Sequence, residues 1–252
     1  MEHYETKRLV PCAKNAVLFL HGIAGSPNQF RLLMPLENMV PENWSLYNIC
    51  YPGYGGTVSE FGKSNIDQWR GYARQAFLEL AEAHEQVLVV GHSMGTLFAM
   101  QLALEFPGKV SGLFLLNVPL RPWPRLYFIP NCLRLAFRMI REDHPREACF
   151  QIACGVNPSA RVWQYISWIP RVLELFGEII RTEKVMGGLT VPCIAFQSRK
   201  DDLVSNLTTP VLIKSGVMEV RELENSTHFF YAPGEKEAVC AEFETWIKKV
   251  DR

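Results

Sequence analysis

A chain of 252 residues has room for one large domain or two small ones, with a full hydrophobic core. Hydrophobic residues make up 48% and charged residues 21%, which excludes a disordered or fibrous chain and fits a globular protein. Lys and Arg total 26 and Asp and Glu total 26, so a formal net charge of zero offers no electrostatic case for nucleic acid or an anionic membrane as partner.

The opening stretch, Met1 to Arg8, is polar and lacks the basic-then-apolar pattern of a secretory signal. No apolar run is long enough to span a bilayer, so no integral membrane segment is expected. Seven cysteines, an odd number, are scattered without a Cys-x-x-Cys pair; Cys149 and Cys154 come nearest and have no His pair at ligand spacing. Buried or half-buried free thiols in a reducing compartment, the cytoplasm, are the expectation. Sequons at Asn43, Asn206 and Asn225 carry no weight without a signal.

Along the chain, residues 1–14 read as a short edge segment. Asn15 to Leu20 is a continuous apolar strand, the pattern expected where both sheet faces are covered. It ends in His21-Gly22-Ile23-Ala24-Gly25-Ser26-Pro27, and a helix is expected from Asn28 to about Met39. Trp44 to Cys50 reads as the next strand and Tyr51 to Gly56 as a loop dense in turn residues. Asn65 to His84 carries Ile66, Trp69, Ala73, Ala76, Phe77 and Leu80 at helical spacing.

Val87 to Val90 then runs straight into Gly91-His92-Ser93-Met94-Gly95, and Thr96 to Phe106 reads as a helix. A strand, a Gly-x-Ser-x-Gly and a helix in that order form a nucleophile elbow, a tight turn that lifts a serine above the sheet edge. The serine sits in a strained backbone conformation, so its neighbours two before and two after must be nearly free of side chain. The next strand spans Lys109 to Leu116. After an insertion at 120–188, the alternation resumes with a strand at Thr190 to Gln197, a helix at Asn206 to Gly216, a strand at Val217 to Leu223 and a helix at Gly234 to Lys249. Alternating strands and helices make a parallel α/β sheet.

The insertion holds Trp123, Tyr127, Phe128, Phe137, Phe150, Trp163, Tyr165, Trp168 and Phe176, with helical periodicity over Cys132 to Ile140 and Val172 to Val185 and no clear strand. It is too small to bury all these rings internally, so part of its apolar surface should face the carboxyl edge of the sheet.

A serine hydroxyl needs a base, and the base needs an orienting group, both at the carboxyl ends of later strands. The loop after Gln197 offers Asp201 and Asp202; the loop after Leu223 offers His228. Carboxylate and imidazole follow the serine in the chain order of this architecture. Between Asp201 and Asp202 spacing alone does not choose, and the other is expected to be a surface or helix-capping carboxylate. His3, His84 and His144 stand in polar surroundings and should be solvated, while His21 and His92 should pack or brace loops. For the oxyanion, the donors are the backbone N–H of Met94, which follows the nucleophile, and that of Ile23, where His21-Gly22 lets the backbone approach.

These motifs resemble those of α/β-hydrolase-fold serine hydrolases over nearly the whole chain, most closely small carboxylesterases and monoacylglycerol-lipase-like enzymes with an inserted helical lid. The resemblance implies a mostly parallel central sheet flanked by helices, with residues 1–119 and 189–252 as the core and 120–188 as a cap. In that family the carboxylate often lies in a Gly-x-x-Asp-x-x-Val pattern, which Ser198 to Val204 matches with Ser198 in place of glycine, favouring Asp201. The family's oxyanion donors fall on Ile23 and Met94. Serine at the elbow separates the chain from the dehalogenases and epoxide hydrolases of this fold, which use aspartate there; haloperoxidases and C–C bond hydrolases with a serine triad remain compatible.

The expectation is therefore an esterase with Ser93 as nucleophile, His228 as base and acid, and Asp201 as orienting carboxylate, acting on a small-molecule ester with an apolar acyl group. No metal or organic cofactor is implied. A thioesterase or acyltransferase, amide or C–C hydrolysis by the same triad, and a non-catalytic binder on the same scaffold are the alternatives.

Overall fold

The sheet is built in a computed structural model that describes residues 3–124, 128–141 and 143–250. Met1 and Glu2 of the expected leading segment and Tyr127 of the aromatic group lie outside the described residues, as does the Phe128 side chain. Seven strands, β1 (Thr6–Arg8), β2 (Asn15–Leu20), β3 (Ser45–Asn48), β4 (Gln86–His92), β5 (Val110–Leu116), β6 (Cys193–Ser198) and β7 (Glu219–Leu223), form one sheet in the order β1-β3-β2-β4-β5-β6-β7. Edge strand β1 is antiparallel to β3, and every other pair is parallel.

The helices are α1 (Val58–Lys63), α2 (Ile66–Ala83), α3 (Met94–Glu105), α4 (Phe128–Ala136), α5 (Pro145–Ala153), α6 (Ile169–Val185), α7 (Thr208–Ser215) and α8 (Glu235–Val250). Alternate strand residues face opposite layers. Leu18, Leu20, Val87, Val89, Leu113 and Leu115 pack with Trp69, Phe77, Phe98 and Leu102 of α2 and α3. Val17, Phe19, Leu88, Val90, Phe114 and Leu116 pack with Phe30, Trp44 and the α8 residues Phe243 and Trp246. Both faces are covered, which is why these strands read as unbroken apolar runs. Among the described residues no helix is long and apolar enough to cross a membrane.

The structure departs from the sequence reading in several places. The expected helix at Asn28 to Met39 is two short turns, Gln29–Leu33 and Glu37–Met39. Pro35 has no N–H to donate and pushes Met34 to an extended conformation, so no continuous helix forms. Helix α1 follows a loop that gave no expectation of it. Its signal is the capping box Thr57-Val58-Ser59-Glu60, in which the Thr57 hydroxyl accepts from the Glu60 N–H and Glu60 accepts from the Thr57 N–H. His84 is buried rather than solvated. It closes α2 with Nδ1 2.7 Å from the Leu80 carbonyl and Nε2 2.7 Å from the Ser45 hydroxyl, satisfying an orphan carbonyl at the helix end.

Residues 120–188 are helical, through α4, α5, a 3-10 turn at Val162–Trp168 and α6. Among the described residues, single bridges, Thr57 with Asn157 and Pro122 with Val204, tie this stretch to the rest in strand fashion. Its aromatics divide. Trp168 packs on Phe61 with tilted rings at 4.4 Å and donates to the Val58 carbonyl at 3.0 Å, and Phe150 meets Phe229 at 5.8 Å. Trp123, Phe137, Trp163 and Phe176 face solvent.

Two glycines give opposite expectations. A Cβ on Gly95 would stand 1.9 Å from the Leu20 carbonyl oxygen, whereas one on Gly71, exposed on α2, would meet nothing within 4 Å. Gly95→Ala should cost about 3 kcal/mol or prevent folding, and Gly71→Ala should add roughly 0.5–1 kcal/mol. Urea midpoints of the two variants measure both.

Candidate active site

Strand β4 ends at His92, and α3 starts at Met94, leaving Ser93 to make the whole turn at φ 51° and ψ −123°. A non-glycine residue at such angles costs roughly 1–3 kcal/mol and persists only when its surroundings hold it. Here the Ser93 N–H donates to the Leu116 carbonyl at 2.9 Å, and the Ser93 carbonyl accepts from the Thr96 N–H at 2.9 Å and hydroxyl at 2.6 Å. Gly91 is required for the same turn, since a Cβ there would stand 2.8 Å from the Thr96 backbone. On the other side, a Cβ on Gly22 would stand 2.9 Å from the Ser93 Cβ, so the loop after β2 runs directly against the serine. That loop carries Ile23. The N–H groups of Ile23 and Met94 donate to no protein acceptor among the described residues.

The tips of β6 and β7 bring the carboxylate and the imidazole together. His228 Nδ1 donates to Asp201 Oδ2 at 2.8 Å, and both side chains are buried. The other carboxylate oxygen accepts from the N–H groups of Leu203 at 2.7 Å and Val204 at 2.8 Å. Asp202 is buried too, contrary to the expected surface or capping role; its Oδ1 lies 3.4 Å from the His228 N–H, and burial raises its pKa. The turn after β6 points both carboxylates inward, and only Asp201 reaches the ring.

Burial by itself pulls the His228 pKa down, but the charge and hydrogen bond of Asp201 and the charge of Asp202 outweigh it and leave it above the ordinary 6.5. His92 behaves oppositely. Burial holds it well below the imidazole range, so it is neutral, and its Nε2 donates to the His228 carbonyl at 3.0 Å. The two rings lie 4.8 Å apart. The Ser93 hydroxyl and the His228 imidazole are not hydrogen-bonded; at such sites that contact is commonly long before substrate binds.

His21 braces the loop as expected. Its Nδ1 donates to the Gly22 carbonyl at 2.9 Å, its ring packs on Tyr51 and Tyr54 at 4.4 and 4.9 Å, and burial lowers its pKa to about 3. Of the histidines expected to be solvated, His144 is exposed and His3 is half-buried.

One residue escaped the sequence reading. Asn117, at φ 53°, donates its N–H to the Phe196 carbonyl at 2.8 Å, accepts from the Ser198 N–H at 2.9 Å and donates to the His228 carbonyl at 3.2 Å. It ties the ends of β5 and β6 to the histidine loop. The available signal was an asparagine at a strand end before Val-Pro, since asparagine tolerates positive φ better than most residues. Among the described residues no cluster of three or more His, Cys, Asp or Glu side chains is placed to hold a metal.

Residues 17–242 match the model of the alpha/beta hydrolase family. The chain belongs to that family. No curated protein sequence matches this alpha/beta hydrolase. Among solved structures, it resembles one reported with LipS and LipT, two metagenome-derived lipolytic enzymes, with TM-score 0.75 and 22% identity over 98% of both chains. It also resembles the monoacylglycerol lipase of Paleococcus ferrophilus, with TM-score 0.70 and 15% identity over 99% of this chain and 100% of that one. A third is the ancestral haloalkane dehalogenase AncHLD2, with TM-score 0.64 and 19% identity over 98% of this chain and 96% of the other. At these identities the likeness carries the fold alone.

The raised His228 pKa means that the folded state holds that proton more tightly than the unfolded state. The pair therefore adds stability that is fully present below pH 6.5 and is lost as the pH rises through the folded pKa. Histidine NMR titration should place the His228 midpoint above 6.5, and Asp201→Asn should lower it by removing the charge and hydrogen bond that hold the proton.

Proposed function

We propose that this alpha/beta hydrolase cleaves carboxylic esters through an acyl-enzyme. The observation that carries the reading is the buried His228–Asp201 hydrogen bond of 2.8 Å beside a serine held in a strained turn at a helix start. In the first half-reaction the Ser93 Oγ attacks the ester carbonyl while His228 Nε2 takes its proton. The resulting imidazolium is stabilised by Asp201, which also fixes the tautomer through Nδ1. Ile23 and Met94 N–H groups face the oxyanion, helped by the positive end of α3. When the tetrahedral intermediate collapses, His228 gives its proton to the leaving alkoxide. Water then attacks the acyl-serine by the same route in reverse and releases the acid.

Residues 120–188 act as a cap, with 1–119 and 189–252 as the core. Phe150 reaches Phe229, the residue after the base, so apolar groups from the cap border the site and favour an apolar acyl chain. Lipolytic enzymes and a monoacylglycerol lipase among the similar structures support an ester over other substrates. The dehalogenase neighbour does not weigh against it, because the elbow here carries serine.

Hydrolysis of p-nitrophenyl esters from acetate to palmitate tests the reading. Ser93→Ala should abolish turnover with the fold intact, and Asp201→Asn should lower kcat by about 10³–10⁴-fold. Substantial esterase activity in the Ser93 variant would sink the assignment. A wild type silent on every ester yet labelled at Ser93 by a fluorophosphonate would redirect it to thioesters or amides.

A further inference from the structure

The loop that carries the base belongs to a distant part of the sheet from the strand that carries the nucleophile. His228 follows β7 and Ser93 follows β4, three strands apart in the order β4-β5-β6-β7. With strands about 4.8 Å apart, residues 224–228 have to run back roughly 14 Å to bring His228 to the end of β4. Asp201 does not supply that reach, because it comes from the turn after β6 and fixes the ring through Nδ1. The same turn holds the loop by its backbone, Arg199 N–H donating to the Leu223 carbonyl at 2.8 Å and Lys200 N–H to the Ser226 carbonyl at 3.2 Å. These bonds make the turn after β6 and the histidine loop one unit. None of them measures that unit against the serine.

The His228 carbonyl supplies the missing tie. It accepts from His92 Nε2 at 3.0 Å and from Asn117 Nδ2 at 3.2 Å, and all three residues are buried. A carbonyl oxygen has two lone pairs, and both are used here. Each donor stands one residue from a fixed point of the nucleophile. His92 directly precedes Ser93, and Asn117 directly follows Leu116, whose carbonyl accepts the Ser93 N–H at 2.9 Å. Asn117 is pinned on two further sides, through its N–H to the Phe196 carbonyl at 2.8 Å and through its side-chain oxygen to the Ser198 N–H at 2.9 Å. His92 is wedged as well. A Cβ on Gly22 would lie 3.4 Å from its Nδ1, and its ring lies 4.8 Å from that of His228 and 5.7 Å from that of Phe229. One ring therefore spans from the loop that carries Ile23 to the backbone of the base.

We propose that His92 and Asn117 are positioning residues, which set the distance between nucleophile and base by gripping the backbone carbonyl of His228. The proposal rests on the ester cleavage proposed above. It divides the work around the base in two. Asp201 sets the tautomer and the charge of the imidazole, and the grip on the carbonyl sets where the imidazole stands. Burial keeps His92 neutral and Asn117 carries no charge, so cutting the grip leaves the charges around His228 as they are. A misplacement of about 1 Å between reacting groups costs on the order of 10²-fold in rate. Such a loss falls on turnover and spares substrate binding.

Kinetics on the p-nitrophenyl ester that wild type cleaves best, with fluorophosphonate labelling rates beside them, test it. His92→Leu should lower kcat by about 10²-fold with KM unchanged, and slow labelling by the same factor. The NMR midpoint of His228 should stay above 6.5 in that variant, because Asp201 still holds the ring. His92→Gln returns a side-chain N–H at similar reach and should recover most of the loss. Asn117→Gly accepts the φ of 53° and should lower kcat in the same way; it carries the test if His92→Leu does not fold. Wild-type kcat in both His92→Leu and Asn117→Gly overturns the proposal. So does a loss confined to KM, or a folded His92→Gln no faster than His92→Leu. A wild type that labels at Ser93 but cleaves no ester overturns the ester reading instead, and the labelling rates of the variants then decide the grip.

Discussion

The approach of the first turn of α3 to the end of β2 constrains everything around Ser93. With a Cβ position on Gly95 only 1.9 Å from the Leu20 carbonyl, the helix sits as close to the sheet as backbone permits. The turn between β4 and α3 then has a single residue in which to reverse direction, and Ser93 takes up the strain. Its cost of roughly 1–3 kcal/mol is set against the burial of Leu97, Phe98 and Leu102 on the same helix. Side chains of that kind contribute about 1.5–3 kcal/mol each when fully buried. The strain at Ser93 is thus sustained by packing on α3 and by hydrogen bonds to Leu116 and Thr96, not by the serine's own preferences.

A second constraint is the placing of charge in a dry site. Asp201 is buried but satisfied by three donors, His228 Nδ1 and two backbone N–H groups, which is how an ionised carboxylate is tolerated away from water. Asp202 has weaker support, and burial raises its pKa accordingly. His92 stays neutral and donates to the backbone carbonyl of His228, so it adds a hydrogen bond without a competing positive charge. Two histidines with touching rings are thereby driven in opposite directions, His228 upward by Asp201 and Asp202, and His92 downward by desolvation first and by the neighbouring imidazoles second.

The parts of this arrangement differ in how visibly the sequence carries them. Strands β2, β4 and β5 are legible because both sheet faces are covered, which leaves an unbroken apolar run with no alternative reading. The elbow is legible because its close contacts exclude side chains at Gly91 and Gly95, and those exclusions are written as residue types. His228 is legible by its place after the last strand, and Asp201 only through the likeness of Ser198 to Val204 to the family's carboxylate pattern, since position alone leaves Asp202 equally placed. The burial of Asp202 is not, because adjacent carboxylates look alike until a turn fixes both side chains. His84 is hidden for a similar reason: its partners, the Leu80 carbonyl and the Ser45 hydroxyl, are a helix end and a distant strand. The expected helix after Asn28 fails at Pro35, where the apolar spacing was compatible but the backbone was not. Within 120–188 the boundaries are least legible, since its helices divide their apolar residues between the core and the surface and the spacing does not say which is which.

That insertion is not attached at its ends alone. The N–H of Gly155 donates to the Ala24 carbonyl at 2.8 Å, its carbonyl accepts from the Gly55 N–H at 2.7 Å, and the Asn157 N–H donates to the Gly56 carbonyl at 2.8 Å. A Cβ on Gly155 would stand 1.8 Å from the Gly25 carbonyl oxygen, so this contact too is closed to any side chain. The strand-like clamp joins the middle of the insertion to the Gly22–Gly25 loop, the same loop that Gly22 presses against Ser93. Ala24 itself sits at φ 50°. A displacement of the Gly155 segment would cost backbone hydrogen bonds on both sides and would pull on the loop that carries the Ile23 N–H. Helix α6 is fixed on α3 as well, through buried Ile179 and Thr182 and the Gln101 bonds to Glu178 and Thr182, so the insertion is held to the core both at the clamp and along this helix.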